Sequence, residues 1–259
     1  MTDAPRVVSP EWLAEELDTA RVVDVRDAWE YEGIGHIPGA VSVPFDSFRD
    51  EDSDAPGTLP GVDEWNAVLS AAGVANDDTL VAYDDTHGVF AARFVVTALA
   101  YGHADVHLLD GDFSAWRLAH ETESGAPEVE PTEYEGQFDE DWPLVDAEDV
   151  RAALDTDAVL VDTREDWEYE EGHIPGARLL DWREFVDEET RGLKPEAELR
   201  ELLESRGITP ERRVVLYCNT ARRISHTYVV LDHLGYENVS FFEGSLTEWK
   251  AIDGPLETA

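Results

Sequence analysis

The chain has 259 residues, 42% hydrophobic and 10% aromatic, so it can build packed cores and is longer than one typical core needs. Acidic residues outnumber Lys and Arg by 59 to 19, and the formal net charge of −40 argues against nucleic acid as a partner, because phosphates would be repelled. No apolar run is long enough to predict a membrane span, and residues 1–10 lack the features of a secretory signal, so we expect a cytoplasmic protein of two domains.

Short apolar runs alternate with helical patterns along the first half of the chain. Ser9 supplies an N-cap residue, and Pro10 follows at the first helical position. Residues 21–25 form a Val-rich run typical of a buried parallel strand. Residues 91–99 carry apolar side chains at helical spacing.

The second half shows the same alternation. Val214–Tyr217 has the pattern of a buried strand, and Cys218 follows it directly. Helical spacing covers residues 223–234, so we expect a helix to start about six residues after Cys218. Strands that alternate with helices predict an α/β fold, in which each domain is a parallel sheet flanked by helices.

The two halves contain the same unit twice. The matched segments are 22–26 with 160–164, 29–31 with 167–169, 35–40 with 172–177, 80–84 with 214–218, 100–103 with 233–236, and 108–111 with 241–244. A segment rich in Glu, Pro and Gly has no counterpart and predicts an extended linker. We therefore expect an N-terminal domain over 7–120, a linker over 121–142 and a C-terminal domain over 143–257.

Cys218 is the only cysteine, so no intramolecular disulfide can form, which is compatible with a reducing compartment. A lone cysteine is more often a small buried hydrophobe than a nucleophile. Here polar residues follow at once, two Arg lie within five positions, and the first copy of the repeat has Asp84 in the matching place. A core position would not tolerate Asp, so the neighbours of Cys218 favour a nucleophile.

With these motifs the chain resembles the tandem-domain rhodanese family, the thiosulfate and 3-mercaptopyruvate sulfurtransferases. The resemblance covers about residues 7–257. It is carried by Val-Asp-x-Arg and Gly-His-Ile-Pro-Gly-Ala in both halves, by Tyr-Cys-Asn-Thr-Ala-Arg-Arg-Ile-Ser-His-Thr at 217–227, and by Glu-Gly-Ser-Leu-Thr-Glu-Trp at 243–249. The resemblance implies two tandem rhodanese-like domains. It also implies that the first is catalytically silent, with Asp84 at the cysteine position, and that Cys218 is the catalytic residue of the second.

Elementary chemistry supports the same residue. A loop between a strand end and a helix start directs backbone N–H groups and the positive end of the helix dipole at its centre, which favours a thiolate over a thiol. The thiolate would attack the outer sulfur of thiosulfate, expel sulfite, and pass the sulfur from a persulfide to cyanide or a thiol. The expected substrate and persulfide loop consists of Asn219, Thr220, Ala221, Arg222 and Arg223.

Several functions stay open at this stage. Arg222 and Arg223 favour thiosulfate, which is a dianion, and 3-mercaptopyruvate is the alternative donor. A persulfide carrier that delivers sulfur to a partner protein is a further alternative. Phosphatase chemistry is the minor interpretation, because the related phosphatases use a Cys-x5-Arg loop and Ile224 stands six positions after Cys218.

Two positions depart from the family pattern. Ala221 replaces the usual loop glycine, which would ask a residue with a Cβ to adopt a positive φ. Glu168 stands where vertebrate-type enzymes place an anion-binding Arg. Arg183 is therefore an additional candidate for anion binding. We expect neither a cofactor nor a bound metal.

Other repeated residues have structural interpretations. The Asp-x-Arg pairs at 24–26 and 162–164 occur in both copies and predict ion pairs or loop clamps. His36 and His173 share a Gly-His-Ile-Pro-Gly context and predict loop hydrogen bonds.

Tryptophans and a Ser-His pair complete the set of candidates. Trp116 and Trp249 predict core anchors on a late helix of each copy. Ser225 and His226, with Thr227, are expected in the first turns of the helix after Cys218. Adjacent residues do not face each other on a helix, which argues against a hydrolase.

The acidic residues are spread along the whole chain rather than gathered in blocks. Self-repulsion at this charge would destabilise a compact state in dilute buffer, and molar salt would screen it. We interpret the composition as adaptation to a salt-rich cytoplasm. An acidic surface for a basic partner is the alternative.

Overall fold

The computed structural model describes residues 4–50 and 57–258. Its contacts divide the chain into two units. Unit 1 holds the chain up to Asp50, Leu59–Trp142 and Asp187–Leu193, whereas unit 2 is built mainly from Pro143–Val186 and the chain from Lys194 onward. Each unit contains one five-stranded sheet.

Unit 1 is a parallel sheet with strand order β1-β5-β4-β2-β3. Its strands are β1 (Val7–Val8), β2 (Ala20–Asp24), β3 (Val41–Ser42), β4 (Thr79–Tyr83) and β5 (Val106–Leu109). Its helices are α1 (Pro10–Glu16), α2 (Ala28–Gly33), α3 (Val62–Ala71), α4 (Val89–Ala100) and α5 (Phe113–Ala119), with a 3₁₀ turn at Phe45–Phe48.

Unit 2 repeats this arrangement, with strand order β6-β10-β9-β7-β8 and parallel pairing. Its strands are β6 (Leu144–Val145), β7 (Val159–Asp162), β8 (Arg178–Leu179), β9 (Val214–Tyr217) and β10 (Val239–Phe242). Its helices are α6 (Ala147–Ala153), α7 (Asp166–Glu171), α8 (Glu196–Ser205), α9 (Ala221–His233) and α10 (Ser245–Ala251), with a 3₁₀ turn at Trp182–Phe185. The matching orders confirm the predicted duplication and the α/β class.

Local capping explains where several helices begin. Ser9 accepts the backbone N–H of Trp12 and Pro10 opens α1, as predicted. The N-cap residues of α2 and α7 each form a capping box with a Glu three positions on. The longest helix, α9, has 13 residues, and in the described ranges 4–50 and 57–258 no helix is long and apolar enough to cross a bilayer.

A tryptophan anchors the last helix of each unit in the core. Trp116 on α5 and Trp249 on α10 are fully buried. Each indole N–H donates to a backbone carbonyl beyond the end of its helix, Trp116 to Glu121 and Trp249 to Pro255, both at 2.9 Å. The bonds remove the cost of burying the polar atom, and both tryptophan predictions are confirmed.

The segment 121–142 has neither helix nor strand and belongs to unit 1. His36 and Glu123 exchange two backbone hydrogen bonds of 2.8 and 2.9 Å. Further along, Thr132 donates its N–H to the carbonyl of Ser70, and the Tyr134 side chain is buried. The backbone of the segment expected as a linker and the Tyr134 side chain are therefore bonded within unit 1.

Candidate active site

Cys218 lies between β9 and α9, and α9 starts sooner than the sequence suggested. Thr220 is the N-cap, with an extended backbone of φ −141° and ψ 179°, and Ala221 is the first helical residue. The expected six-residue gap after Cys218 is therefore wrong, and the helix begins three residues after it. Ala221 has ordinary helical geometry, so this position does not require the positive φ that we expected.

Backbone contacts hold Cys218 against the start of α10. Its N–H donates to the Oγ of Ser245 at 3.1 Å, and its carbonyl accepts the N–H of Leu246 at 3.0 Å. Ser245 has a left-handed φ of 50°, and its hydroxyl donates to the carbonyl of Phe242. Thr247 Oγ1 donates to the carbonyl of Asn219 at 2.8 Å. The backbone position of the cysteine and of the residue after it is thus fixed by contacts with α10.

Sequence reasoning missed Ser245 and Thr247 as residues of the site. Both lie in the segment 243–249, which contributes to the family resemblance. Hydroxyl residues within a few positions of a strand end are a usable signal, because parallel strands end at the same edge of a sheet. β9 and β10 are neighbours in unit 2, which brings the two segments together.

The sulfur of Cys218 is buried, with the residue 1% exposed. Its thiol donates to the backbone carbonyl of Thr220. A thiol can make this bond, whereas a thiolate cannot donate. Burial alone would suit a structural cysteine, but the thiol contacts a polar backbone atom of the loop, the carbonyl of Thr220.

A cluster of charges surrounds the loop after Cys218. The carboxylate of Glu168 accepts from Arg223, with Nη1–Oε2 at 2.5 Å and Nη2–Oε1 at 3.0 Å. It also accepts the side-chain amide of Asn219 at 2.6 Å and the backbone N–H of Glu165 at 3.1 Å. Burial works to raise the pKa of Glu168, but the bonds from Arg223, Glu165 and Asn219 outweigh it and lower that pKa to about 2.

Asn219 connects this cluster to a second ion pair. Its amide nitrogen bonds to Glu168, and its amide oxygen lies 3.4 Å from Nη1 of Arg164. Arg164 in turn pairs with Asp162 at the end of β7. The side chain that follows the cysteine is therefore bonded at both its nitrogen and its oxygen.

The three candidate arginines differ in their surroundings. Burial lowers the pKa of Arg223, but its bonds to Glu168 and its proximity to Cys218 have the larger combined effect and raise it. Arg222 is exposed on the first turn of α9. Arg183 is half-exposed and pairs with Asp181 at 2.7 Å and with Glu165 at 3.5 Å. An anion at Arg183 would have to compete with two carboxylates, and its role as an anion site stays a prediction.

In unit 1, Asp84 occupies the position that matches Cys218, and its carboxylate is buried. Its oxygens accept four backbone N–H groups at 2.7 to 3.1 Å, those of Thr86, Gly88, Phe90 and Ala91. Burial raises the pKa of Asp84, and these four bonds oppose the rise. The turn between β4 and α4 is therefore a ring of amides around an anionic group that the chain itself supplies.

The repeated polar residues have structural contacts, as predicted. Asp24 pairs with Arg26, and Asp162 pairs with Arg164, in both cases with buried side chains. The Nδ1 atoms of His36 and His173 lie within hydrogen-bond distance of the carbonyls of the Tyr31 and Tyr169 backbones. Each pair of rings is also stacked.

The Ser-His pair on α9 does not form a catalytic couple. Ser225 donates back to the carbonyl of Ala221 at 2.8 Å. His226 instead packs its ring edge-on against Trp182, with 5.1 Å between the ring centroids. The two side chains have different partners, which agrees with the argument against a hydrolase.

Comparison with known proteins gives a consistent result. Residues 9–119 and 146–252 each match the family model for the rhodanese-like domain. The chain is 33% identical over 271 residues to the thiosulfate sulfurtransferase of Pseudomonas aeruginosa, with 99% of this chain and 98% of the relative covered. It is also 30% identical over 272 residues to the sulfur carrier protein TtuD of Thermus thermophilus, with 96% and 94% covered.

A solved structure agrees with these sequence matches. SseA from Escherichia coli, one of the 3-mercaptopyruvate sulfotransferases, superposes with a TM-score of 0.84 at 27% identity. The superposition covers 93% of this chain and 99% of SseA. The similarity therefore extends over both repeats.

Proposed function

The chain belongs to the rhodanese family and is a sulfurtransferase, and from this premise we propose that it moves a sulfane sulfur from thiosulfate to cyanide or a thiol through a persulfide on Cys218. One observation carries the assignment to this residue. The only cysteine of the chain lies directly after β9, shortly before the start of a helix and near the partly buried ion pair of Glu168 and Arg223. Ligands of open α/β sheets bind at such strand ends.

The first half of the reaction loads the sulfur. Cys218 loses its proton to solvent, and the thiolate can no longer donate to the carbonyl of Thr220. It attacks the outer sulfur of thiosulfate, so that a new S–S bond forms while the bond to the sulfonate sulfur breaks. Sulfite leaves with that electron pair. The products are a persulfide anion on Cys218 and sulfite, and charge balances on both sides.

The second half returns the free enzyme. Cyanide or a thiolate attacks the outer sulfur of the persulfide, and the Cys218 thiolate leaves. We assign the stabilisation of the anions to the amides of the loop and of the first turn of α9, with residues 219–223 as the binding segment. The amide ring around Asp84 supports this assignment, because the matching turn of unit 1 binds a carboxylate with four N–H groups.

The choice of donor rests on charge. Arg222 and Arg223 stand four and five positions after the cysteine and favour a dianion such as thiosulfate. The pairing of Arg223 with Glu168 weakens that preference. It keeps 3-mercaptopyruvate as the second candidate, because this donor carries less negative charge than thiosulfate. Delivery of the sulfur to a partner protein is compatible with either donor, and the relative TtuD is a sulfur carrier protein.

Intact-mass measurement tests the site and the donor together. The protein is incubated with thiosulfate or with 3-mercaptopyruvate, and its mass is recorded before and after a thiol acceptor is added. We expect thiosulfate to add one sulfur atom, with release of sulfite, and the acceptor to remove it. Cys218→Ser is the matched control and should gain nothing. A gain in Cys218→Ser would contradict the site, and a gain only with 3-mercaptopyruvate would replace the donor.

We further propose that the protein works in a salt-rich cytoplasm. The support is the net charge of −40, which strongly favours unfolding in dilute buffer through self-repulsion. Salt at molar concentration shortens the screening length to about 3 Å and removes most of that repulsion.

A further inference from the structure

Glu168 makes more contacts than its role at the start of α7 requires. As the third residue of that helix, it accepts the N–H of Glu165 and completes a capping box. The same carboxylate accepts two bonds from Arg223 and one from Asn219. Asn219 and Arg223 stand one and five positions after Cys218, so one carboxylate joins both sides of the turn that holds the sulfur.

In unit 1, the residue that matches Glu168 has the capping role without the additional contacts. Glu30 occupies the matching position of α2 and accepts the N–H of Asp27 at 3.2 Å in the same kind of box. The first turn of α4 carries Val89, Phe90 and Ala91, so it offers no guanidinium there. The contacts of Glu168 to Arg223 and Asn219 therefore belong to the unit that contains the cysteine.

The ion pair changes the charge that the sulfur experiences. Arg223 alone would add one positive charge near Cys218, whereas Arg223 with Glu168 adds none. Glu168 is 8% exposed, so solvent and salt screen the pair much less than a surface pair. The electrostatic effect of Glu168 on an anion at Cys218 is thus repulsive and opposite to that of Arg223.

We propose that Glu168 is a positioning residue that holds Asn219 and Arg223 at the Cys218 turn, cancels the Arg223 charge there, and thereby limits how tightly the site binds dianions. This inference rests on the proposed function, in which the site accepts thiosulfate. It explains how a site with two arginines can release sulfite after each transfer. It also makes Glu168 a determinant of the choice between a dianionic and a less charged donor.

A four-protein cycle separates charge from structure. Cys218 is alkylated with iodoacetamide, a neutral reagent, over a range of pH at constant salt, in the unmodified protein, Glu168→Gln, Arg223→Gln and the double variant. We expect the midpoint of the alkylation curve to move to lower pH in Glu168→Gln and to higher pH in Arg223→Gln, by about half a unit to one unit each. The double variant should lie close to the unmodified protein, because both have the same net charge at the pair.

Anion binding supplies the second measurement. Sulfate is an unreactive dianion, so its protection of Cys218 from alkylation reports binding without any transfer of sulfur. We expect Glu168→Gln to bind sulfate about three- to tenfold more tightly, and to show a lower KM for thiosulfate with slower release of sulfite. Glu30→Gln in unit 1 loses the same charge, while its amide oxygen can still accept the capping N–H of Asp27, and it should match the unmodified protein in both measurements.

A shift of the alkylation midpoint in the same direction in both single variants would overturn the inference. If Glu168→Gln and Arg223→Gln both slow alkylation without moving the midpoint, the pair is only a structural clamp. Unchanged or weaker binding of sulfate in Glu168→Gln would also overturn it. If Glu168→Gln fails to fold, the test depends on Arg223→Gln alone. An alkylation midpoint that does not rise in Arg223→Gln would then contradict the proposed effect of charge. Failure of thiosulfate to load the unmodified protein would refute the donor but leave the sulfate and alkylation measurements valid.

Discussion

Arg164 and Asp162 form a buried bidentate ion pair at the end of β7, with Nε–Oδ1 at 2.9 Å and Nη2–Oδ2 at 2.6 Å. Arg26 and Asp24 form the same pair at the end of β2, at 3.0 and 2.5 Å. Both arginines also donate to the carbonyl of the glycine before the repeated histidine. The pair is therefore part of the duplicated scaffold, and only in unit 2 does it also contact a residue next to a cysteine, Asn219.

Replacement of Arg164 by Met should lower both stability and activity. The substitution leaves the Asp162 carboxylate buried without a counter-charge, which costs about 3–5 kcal/mol. Asn219 also loses one of its two side-chain partners, so the cysteine turn becomes less ordered. Urea unfolding gives the loss in free energy, and the rate of thiocyanate formation per folded molecule gives the effect on the site.

Arg26→Met is the matched control in unit 1. It breaks the equivalent pair, so we expect a loss of stability of the same order, about 3–5 kcal/mol, with little change in activity per folded molecule. A loss below about 1 kcal/mol in both variants would mean that the pairs behave like exposed salt bridges. An equal fall in activity in the two variants would show that the contact with Asn219 has no special role.

The pKa of Glu168, lowered to about 2, predicts a specific dependence of stability on pH. Because the folded-state pKa lies below the ordinary value of 4.5, the ionised carboxylate stabilises the fold fully above that value. The stabilisation is lost as the pH falls from about 4.5 towards 2. We expect Glu168→Gln to be less stable at pH 7 by about 2 kcal/mol, and this difference should shrink as the pH falls through that window.

Comparison of the two proteins at each pH removes the contribution of the many other carboxylates. The measurement is the free energy of unfolding in urea between pH 3 and pH 7. A difference that stays constant over this range would show that the carboxylate of Glu168 has the same affinity for protons in the folded and the unfolded chain.

Local patterns were sufficient to predict the scaffold. The strand and helix periodicities, the Ser9-Pro10 start of α1 and the buried Trp116 and Trp249 depend on residues close in sequence or on a repeat. Each repeated motif could be compared between the two copies. Residues present in both copies were interpreted as structural, and a residue present in only one copy was a candidate for catalysis. The position of Cys218 in one copy alone followed from the same comparison.

The long-range pairing of charges and the start of α9 were not evident from the sequence. Glu168 and Arg223 are 55 positions apart in the sequence. Their opposite charges alone do not indicate that these two side chains form an ion pair. The early start of α9 escaped detection because Arg222 and Arg223 follow its first residue, so a continuous apolar spacing begins only later. Thr220 was the available signal, since Thr is a common N-cap residue.

Tyr134 predicts that the segment 121–142 contributes to the stability of unit 1. Its side chain is buried, its N–H donates to Ser70 Oγ at 3.0 Å, and its hydroxyl lies 3.2 Å from Nδ1 of His103. Tyr134→Ala should cost about 3–5 kcal/mol through the lost aromatic packing, and Tyr134→Phe about 1 kcal/mol through the lost hydroxyl. Phe138→Ala is the control, because this aromatic residue of the same segment is 42% exposed and should cost much less. Equal losses for Tyr134→Ala and Phe138→Ala, measured by thermal unfolding, would contradict an anchoring role.

The acidic composition predicts that salt stabilises the fold. With 59 acidic and 19 basic residues, repulsion acts between charges along the whole chain, and it weakens as the screening length falls from about 10 Å at 0.1 M to about 3 Å at 1 M salt. We expect Tm to rise steeply with KCl over that range and to level off beyond it, because further screening changes little once the repulsion has been removed. Potassium chloride is the suitable salt, since sulfate stabilises folded proteins in general through its exclusion from their surface. Sorbitol at matched osmolality should raise Tm far less than KCl; an equal rise would attribute the effect to solvent exclusion, and a Tm that falls with KCl would contradict adaptation to a salt-rich cytoplasm.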